Sequence, residues 1–97
     1  MKKQTADEKI MEDLEKLVDM AREAYNKADE EYSALWILYN DAALEGSKNL
    51  AKLEQKIQLA SDVKDDKRRA LRLALAARLS ARVLLDSNYQ AEMVSLI

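Results

Sequence analysis

Apolar residues recur at steps of seven along the first 44 positions of the chain. One column is Met11, Val18, Tyr25, Tyr32 and Tyr39; a second is Leu14, Ala21, Ala28, Leu35 and Ala42. A third, Ile10, Leu17, Ala24 and Leu38, is interrupted only by Glu31. Steps of three and four between the columns give a broad apolar stripe on a helix. Thr5-Ala6-Asp7-Glu8 has the spacing of a capping box, and its acids suit the positive end of a helix. The pattern therefore predicts helix 1 over about residues 6–44, nearly 60 Å at ~1.5 Å per residue. Gly46 follows Leu44 by two, where a left-handed cap belongs. Ser47 then reads as the N-cap of the next helix, so a turn over 45–47 closes a tight helical hairpin.

Helix 2 is expected over about residues 48–86. It opens on Leu50, Leu53, Ile57 and Ala60 and then meets six consecutive charges, Lys64-Asp65-Asp66-Lys67-Arg68-Arg69. Two readings stay open: one unbroken helix, or a break near 61–66 with a third helix capped by Ser61 or Asp62. On a straight helix Arg78 and Arg82 fall on the face that Leu53 and Ile57 bury, which argues for the break. On a supercoiled repeat of 3.5 residues per turn, Leu53, Ala60, Lys67, Ala74 and Ala81 align, with Val63, Ala70, Ala77 and Leu84 beside them. A turn centred on Gly46-Ser47 makes the numbers of facing residues total about 94. Ala24 then faces Ala70, Ala21 faces Leu73 and Ala74, Leu17 faces Ala77, and Ile10 faces Leu84. The charged run lies opposite residues 26–31, giving a hydrated waist between two apolar zones. Ser87-Asn88-Tyr89-Gln90 repeats the capping-box spacing and predicts a short C-terminal helix over about 88–96.

The fold expected is thus all-α: one domain over residues 1–97, an antiparallel hairpin or bundle of two to three long helices. Composition agrees with this. The 97 residues include no proline and one glycine, fewer than shorter, more broken elements need. No cysteine means no disulfide, and no histidine removes the commonest general base and metal ligand. The carboxylate doublets Glu12/Asp13, Glu30/Glu31 and Asp65/Asp66 point about 100° apart on a helix and do not converge. In the short all-helical chorismate mutases, a dicarboxylate is clamped by arginines that include some on a long first helix. Here Arg22 is the only arginine before Arg68, and that pattern does not carry over. No catalytic, cofactor-binding or metal site is expected, no small-molecule substrate, and no enzyme activity. The longest uncharged run, Tyr32 to Asn40, is far short of the ~20 residues a membrane span needs. The opening MKKQTADEK turns acidic at once, unlike a signal peptide. A soluble, cytoplasmic protein without a membrane partner is the expectation.

Charge is unevenly placed. Residues 1–45 hold 12 acids and 6 bases, whereas residues 46–97 hold 6 acids and 10 bases. The halves attract each other, or the opposite half of a second chain. Trp36, Ile37, Ala43 and Leu44 fall outside the stripe of helix 1, and Leu73, Leu75, Leu79 and Val83 surround helix 2. Two helices alone leave these in water, which monomers rarely tolerate over a large area. Either a third helix covers them, or two hairpins complete a four-helix bundle as a homodimer. The candidate interaction residues are Tyr32, Leu35, Trp36, Ile37, Tyr39, Leu44, Leu75, Leu79 and Val83. A basic patch of Lys67, Arg68, Arg69, Arg72, Arg78 and Arg82, with Lys64, has the charge to contact phosphates. An acid-rich first helix lies ready to pair with it instead.

The function expected is that of a non-catalytic helical interaction or scaffold module. It acts by self-association or by binding a larger protein. Two alternatives stand beside it. The absence of Pro, Cys, His and Phe suits an engineered bundle with no native function, although Met11, Met20 and Asn40-Asp41 are not idealised choices. The basic stretch over 64–82 suits a nucleic-acid-binding helix pair.

Overall fold

Two helices, α1 over Ala6–Leu44 and α2 over Leu50–Leu85, pack as an antiparallel hairpin in the computed structural model, which describes residues 5–85. No strand occurs among the described residues. The short helix expected over 88–96 lies outside them.

Local chemistry fixes both ends of α1. Thr5 is extended (φ −69°, ψ 162°), and its hydroxyl accepts the amide of Glu8 at 3.1 Å. At the other end Gly46 takes φ 71°, the left-handed region that favours glycine. Its amide donates to the carbonyl of Ala43 at 3.2 Å, and that of Ser47 donates to Ala42 at 2.9 Å. These are the paired bonds of a Schellman cap, which satisfy the last carbonyls of the helix. A Cβ at position 46 meets nothing within 4 Å, so substitution there carries a conformational cost and no clash. Gly46→Ala is expected to lower stability by about 1–2 kcal/mol, and Gly46→Asn by less, because asparagine tolerates that region better. Thermal melts of the three proteins check this; coincident melts would contradict it.

The second helix starts two residues later than expected. Ser47 Oγ accepts the amide of Asn49 at 3.2 Å, while the regular ladder begins with Leu53 N donating to the carbonyl of Asn49 at 3.3 Å. Beyond that point α2 is continuous. The break near 61–66, and with it a third long helix, does not occur among the described residues. Asp62 does not cap a new helix; it accepts a hydrogen bond from Gln58 Nε2, one turn earlier, at 3.1 Å. Lys64, the first residue of the charged run, turns into the seam between the helices. Its Nζ lies 2.8 Å from Asp29 Oδ1 and 4.8 Å from the centre of the Tyr32 ring. The expected waist is therefore an ion-paired layer rather than a gap.

Cross-helix pairs give the register. Glu15 meets Arg78, Tyr25 meets Arg68, Asp29 meets Lys64 and Tyr39 meets Glu54. Each pair of numbers totals 93, within one of the sequence expectation. The first two columns of α1 form its half of the seam, as expected. On α2 the column Leu53, Ala60, Lys67, Ala74 and Ala81 also turns inward except at Lys67, which is exposed. Its expected neighbour, Val63, Ala70, Ala77 and Leu84, does not: all four are exposed. Leu50, Ile57, Lys64, Leu71, Arg78 and Leu85 occupy that place instead. Two cations can sit there because their aliphatic stems fill space while their heads reach out to acids at the rim.

The seam is thin. Among the described residues Val18, Ala28, Ile57 and Ala74 are buried, and of these Val18 alone is fully enclosed. Two helices bury a stripe two columns wide. The third column, with Ile10, Leu17 and Leu38, stays in water.

Candidate interaction surface

Two long helices side by side have two broad faces, and here the faces differ in chemistry. Side chains one position before the seam columns lie about 100° round each helix. On α1 these are residues 10, 17, 24, 31 and 38; on α2 they are 56, 63, 70, 77 and 84. The antiparallel register brings both sets to the same side of the hairpin. The adjoining positions are 13, 20, 27, 34 and 41, with 52, 59, 66, 73 and 80. This face carries Ile10, Leu17, Met20, Leu38, Leu59, Val63 and Leu73, between 45 and 68% exposed. Alanines 24, 34, 70 and 77 lie among them, and so do the charged side chains Asp13, Lys27, Glu31, Asp41, Lys52, Lys56 and Asp66. Of the facing pairs read from the sequence, Ala21 with Ala74 lies in the seam, whereas Ala24 with Ala70, Leu17 with Ala77 and Ile10 with Leu84 belong to this open face.

The opposite face is polar. Glu15 receives Arg78 Nη1 on Oε2 at 3.2 Å and Arg82 Nη2 on Oε1 at 3.8 Å. Asp29 holds Lys64, and the Arg68 guanidinium lies 5.9 Å from the centre of the Tyr25 ring. Beside these charges stands an aromatic ladder. Trp36 meets Tyr32 edge-on at 6.4 Å and Tyr39 at 5.5 Å. The ladder is clipped at both ends, by Lys64 over Tyr32 and by Tyr39 Oη donating to Glu54 Oε1 at 3.0 Å.

The expected interaction residues divide accordingly. Tyr32, Leu35 and Tyr39 are half-buried in the seam, and Leu75 and Val83 are also half-buried. Trp36, Ile37, Leu44 and Leu79 are exposed, Leu44 most of all at 87%. They do not form one patch: Trp36 stands on the polar face, and Ile37 and Leu44 lie on the outer flank of α1. Among the basic residues, Lys64, Arg68, Arg69, Arg78 and Arg82 are paired with Asp29, Asp65, Asp66 and Glu15. Lys67 and Arg72 stand outside these ion pairs. Lys64 and Arg78 hold close partners at 2.8 and 3.2 Å, while the contacts of Arg68, Arg69 and Arg82 are looser, at 3.7 to 3.9 Å.

Two groups have their protonation held by this network. The Tyr39 phenol is raised above its ordinary value because it donates to Glu54 and because its anion would face that carboxylate. Lys64 is raised chiefly by its hydrogen bond to Asp29, against the opposing effect of burial. Both folded values lie above the unfolded ones, so the folded chain binds these protons more tightly. Their contribution is complete below the ordinary values of 10.0 and 10.5 and is lost as pH rises through the folded values. Stability is therefore expected to fall above pH 10.

The pair is also asymmetric. The Lys64 side chain is 18% exposed and that of Asp29 is 46% exposed. Removing the lysine leaves a hydrated carboxylate, whereas removing the aspartate strands a half-buried ammonium. Asp29→Ala is expected to lower the melting temperature more than Lys64→Met, and Lys64→Met to show the smaller alkaline loss. Melts at pH 7 and pH 11 check both, and the reverse order would contradict this reading.

The chain is thus an all-α helical hairpin with one ion-paired face and one apolar face. Comparison with protein-family models, with curated proteins and with solved structures gave no match. No described helix is long and apolar enough to cross a membrane. Among the described residues no group of three or more acidic side chains is arranged to hold a metal ion.

Proposed function

We propose that this protein is a non-catalytic interaction module that works by covering its exposed apolar side chains with another polypeptide, either a second copy or a larger protein. One observation carries the reading: among the described residues 12 large hydrophobic side chains are exposed and 4 apolar residues are buried, and Ile10, Leu17, Met20, Leu38, Leu59, Val63 and Leu73 of the exposed set share one broad face. Scattered exposed leucines are ordinary, but a contiguous apolar face rimmed by charge marks a contact surface. Covering it is favourable by ~25 cal/mol per Å². The cross-helix pairs of Glu15 with Arg78 and of Asp29 with Lys64 hold two of the cations that an outside anion would use, and the broad face offers hydrophobic side chains rather than a cationic groove, so a protein partner is favoured over nucleic acid.

Site-specific photo-crosslinking in the cell that makes the chain tests this. A photoreactive residue at Leu17 or Leu38 is expected to give covalent adducts, and one at the outward Gln55 to give none. Absence of adducts at both apolar positions would overturn the reading. Binding of the purified chain to duplex or single-stranded nucleic acid at low salt, lost steeply as salt rises, would favour a phosphate-binding function instead.

A further inference from the structure

We infer that the apolar broad face binds a second copy of this chain, about a twofold axis parallel to the helices, giving a four-helix bundle with both turns at one end. The inference rests on the association reading above and names its occupant and geometry.

Charge selects the partner and the stacking. Within α1 there are 11 acids and 4 bases, a net −7; within α2 there are 4 acids and 9 bases, a net +5. A twofold axis along the bundle places each acidic α1 between two basic α2 helices, its own and the partner's. Every neighbouring pair is then antiparallel, which also opposes the helix dipoles. The other way of closing the same face, an axis across the helices, stacks α1 on α1 and α2 on α2, like charge on like.

The face itself is complementary to its own copy in this arrangement. Rotation about an axis along the helices keeps each residue at its level, so the total of 93 also relates α1 to the partner's α2. Met20 then lies beside the partner's Leu73, two side chains 68 and 67% exposed. Ala34 lies beside the partner's Leu59, a small residue against a large one. Lys27 meets the partner's Asp66, and Asp41 meets the partner's Lys52, each a pair of opposite sign. Within one chain Asp66 has only a loose contact to Arg69 at 3.7 Å. Ala24, Ala70 and Ala77 line the middle of the face and let the backbones approach. Seven large side chains, each offering on the order of 100 Å², approach the ~800 Å² that one partner contributes to a stable interface.

The chain has no cysteine, so introduced thiols report the geometry directly. Met20→Cys with Leu73→Cys is expected to oxidise to a covalent dimer. Trp36→Cys with Leu79→Cys, away from the apolar face, is expected to stay monomeric in denaturing gels. Lys27→Glu and Asp66→Lys should each raise the dimer dissociation constant roughly 10-fold, since symmetry counts each pair twice. The double reversal should restore it, with helix content by circular dichroism unchanged throughout. A covalent dimer formed as readily by Met20→Cys alone would mean α1 on α1 and overturn the arrangement. A chain monomeric at every concentration would overturn the second copy as occupant. Photo-adducts of Leu17 with a larger protein would in that event leave the association reading standing.

Discussion

Val18→Asp is expected to abolish cooperative folding near room temperature or to lower the melting temperature by about 15 °C or more. Among the described residues Val18 is the one side chain with no solvent exposure, and no buried residue of the seam is polar. Its level on α2 is that of Ala74, itself buried, and the nearest cation of the seam, Arg78, is already held by Glu15. An uncompensated charge in such a place costs roughly 3–5 kcal/mol. That is a large share of the total stability of a domain, typically about 5–15 kcal/mol. The same substitution at Ser33, exposed on the same helix, should move the melt by no more than a few degrees. Circular dichroism of both variants makes the comparison. Equal melts would mean that the seam does not pass through Val18.

Ile57→Ala should produce the next largest loss, about 2–3 kcal/mol, and Ile57→Val about 1 kcal/mol. Ile57 is buried where α2 packs against the aromatic half of α1, but it remains 8% exposed. A rim so close to water can collapse around a missing methyl group, which keeps the cost at the lower end of the range for isoleucine truncation. Urea denaturation with an unchanged slope would report the two values as stability differences. A flat series, with alanine as stable as isoleucine, would show that this part of the seam is open.

Much of this architecture is legible in the residues because local rules and the long-range pattern agree. Thr5 and Glu8 mark the start of α1, and Gly46 marks its end. The columns headed by Met11 and Leu14 then have only one way to turn. The pairing register follows from the position of the single glycine.

What escapes a sequence reading is the inner side of α2. Lys64 and Arg78 look like surface residues, yet they occupy seam positions, because each stem packs between the helices while its head reaches Asp29 or Glu15. Polarity scored by residue type cannot see a side chain that is apolar for most of its length. The same misreading hides the broad apolar face. Once Val63, Ala70, Ala77 and Leu84 are assigned to the seam, Ile10 and Leu17 seem to be covered by them. In the fold these residues stand on a common open side. Trp36 and Ile37 were legible as uncovered because they fall outside every column.

Sedimentation equilibrium of the unmodified chain across a wide concentration range is the most direct test of the central claim, that one hairpin cannot cover its own apolar surface. Self-association through the apolar face predicts a mass rising to twice the 11.1 kDa of one chain, with helix content retained on dilution or lost together with the dimer. A mass of one chain at every concentration, in a protein that still melts cooperatively, would contradict it.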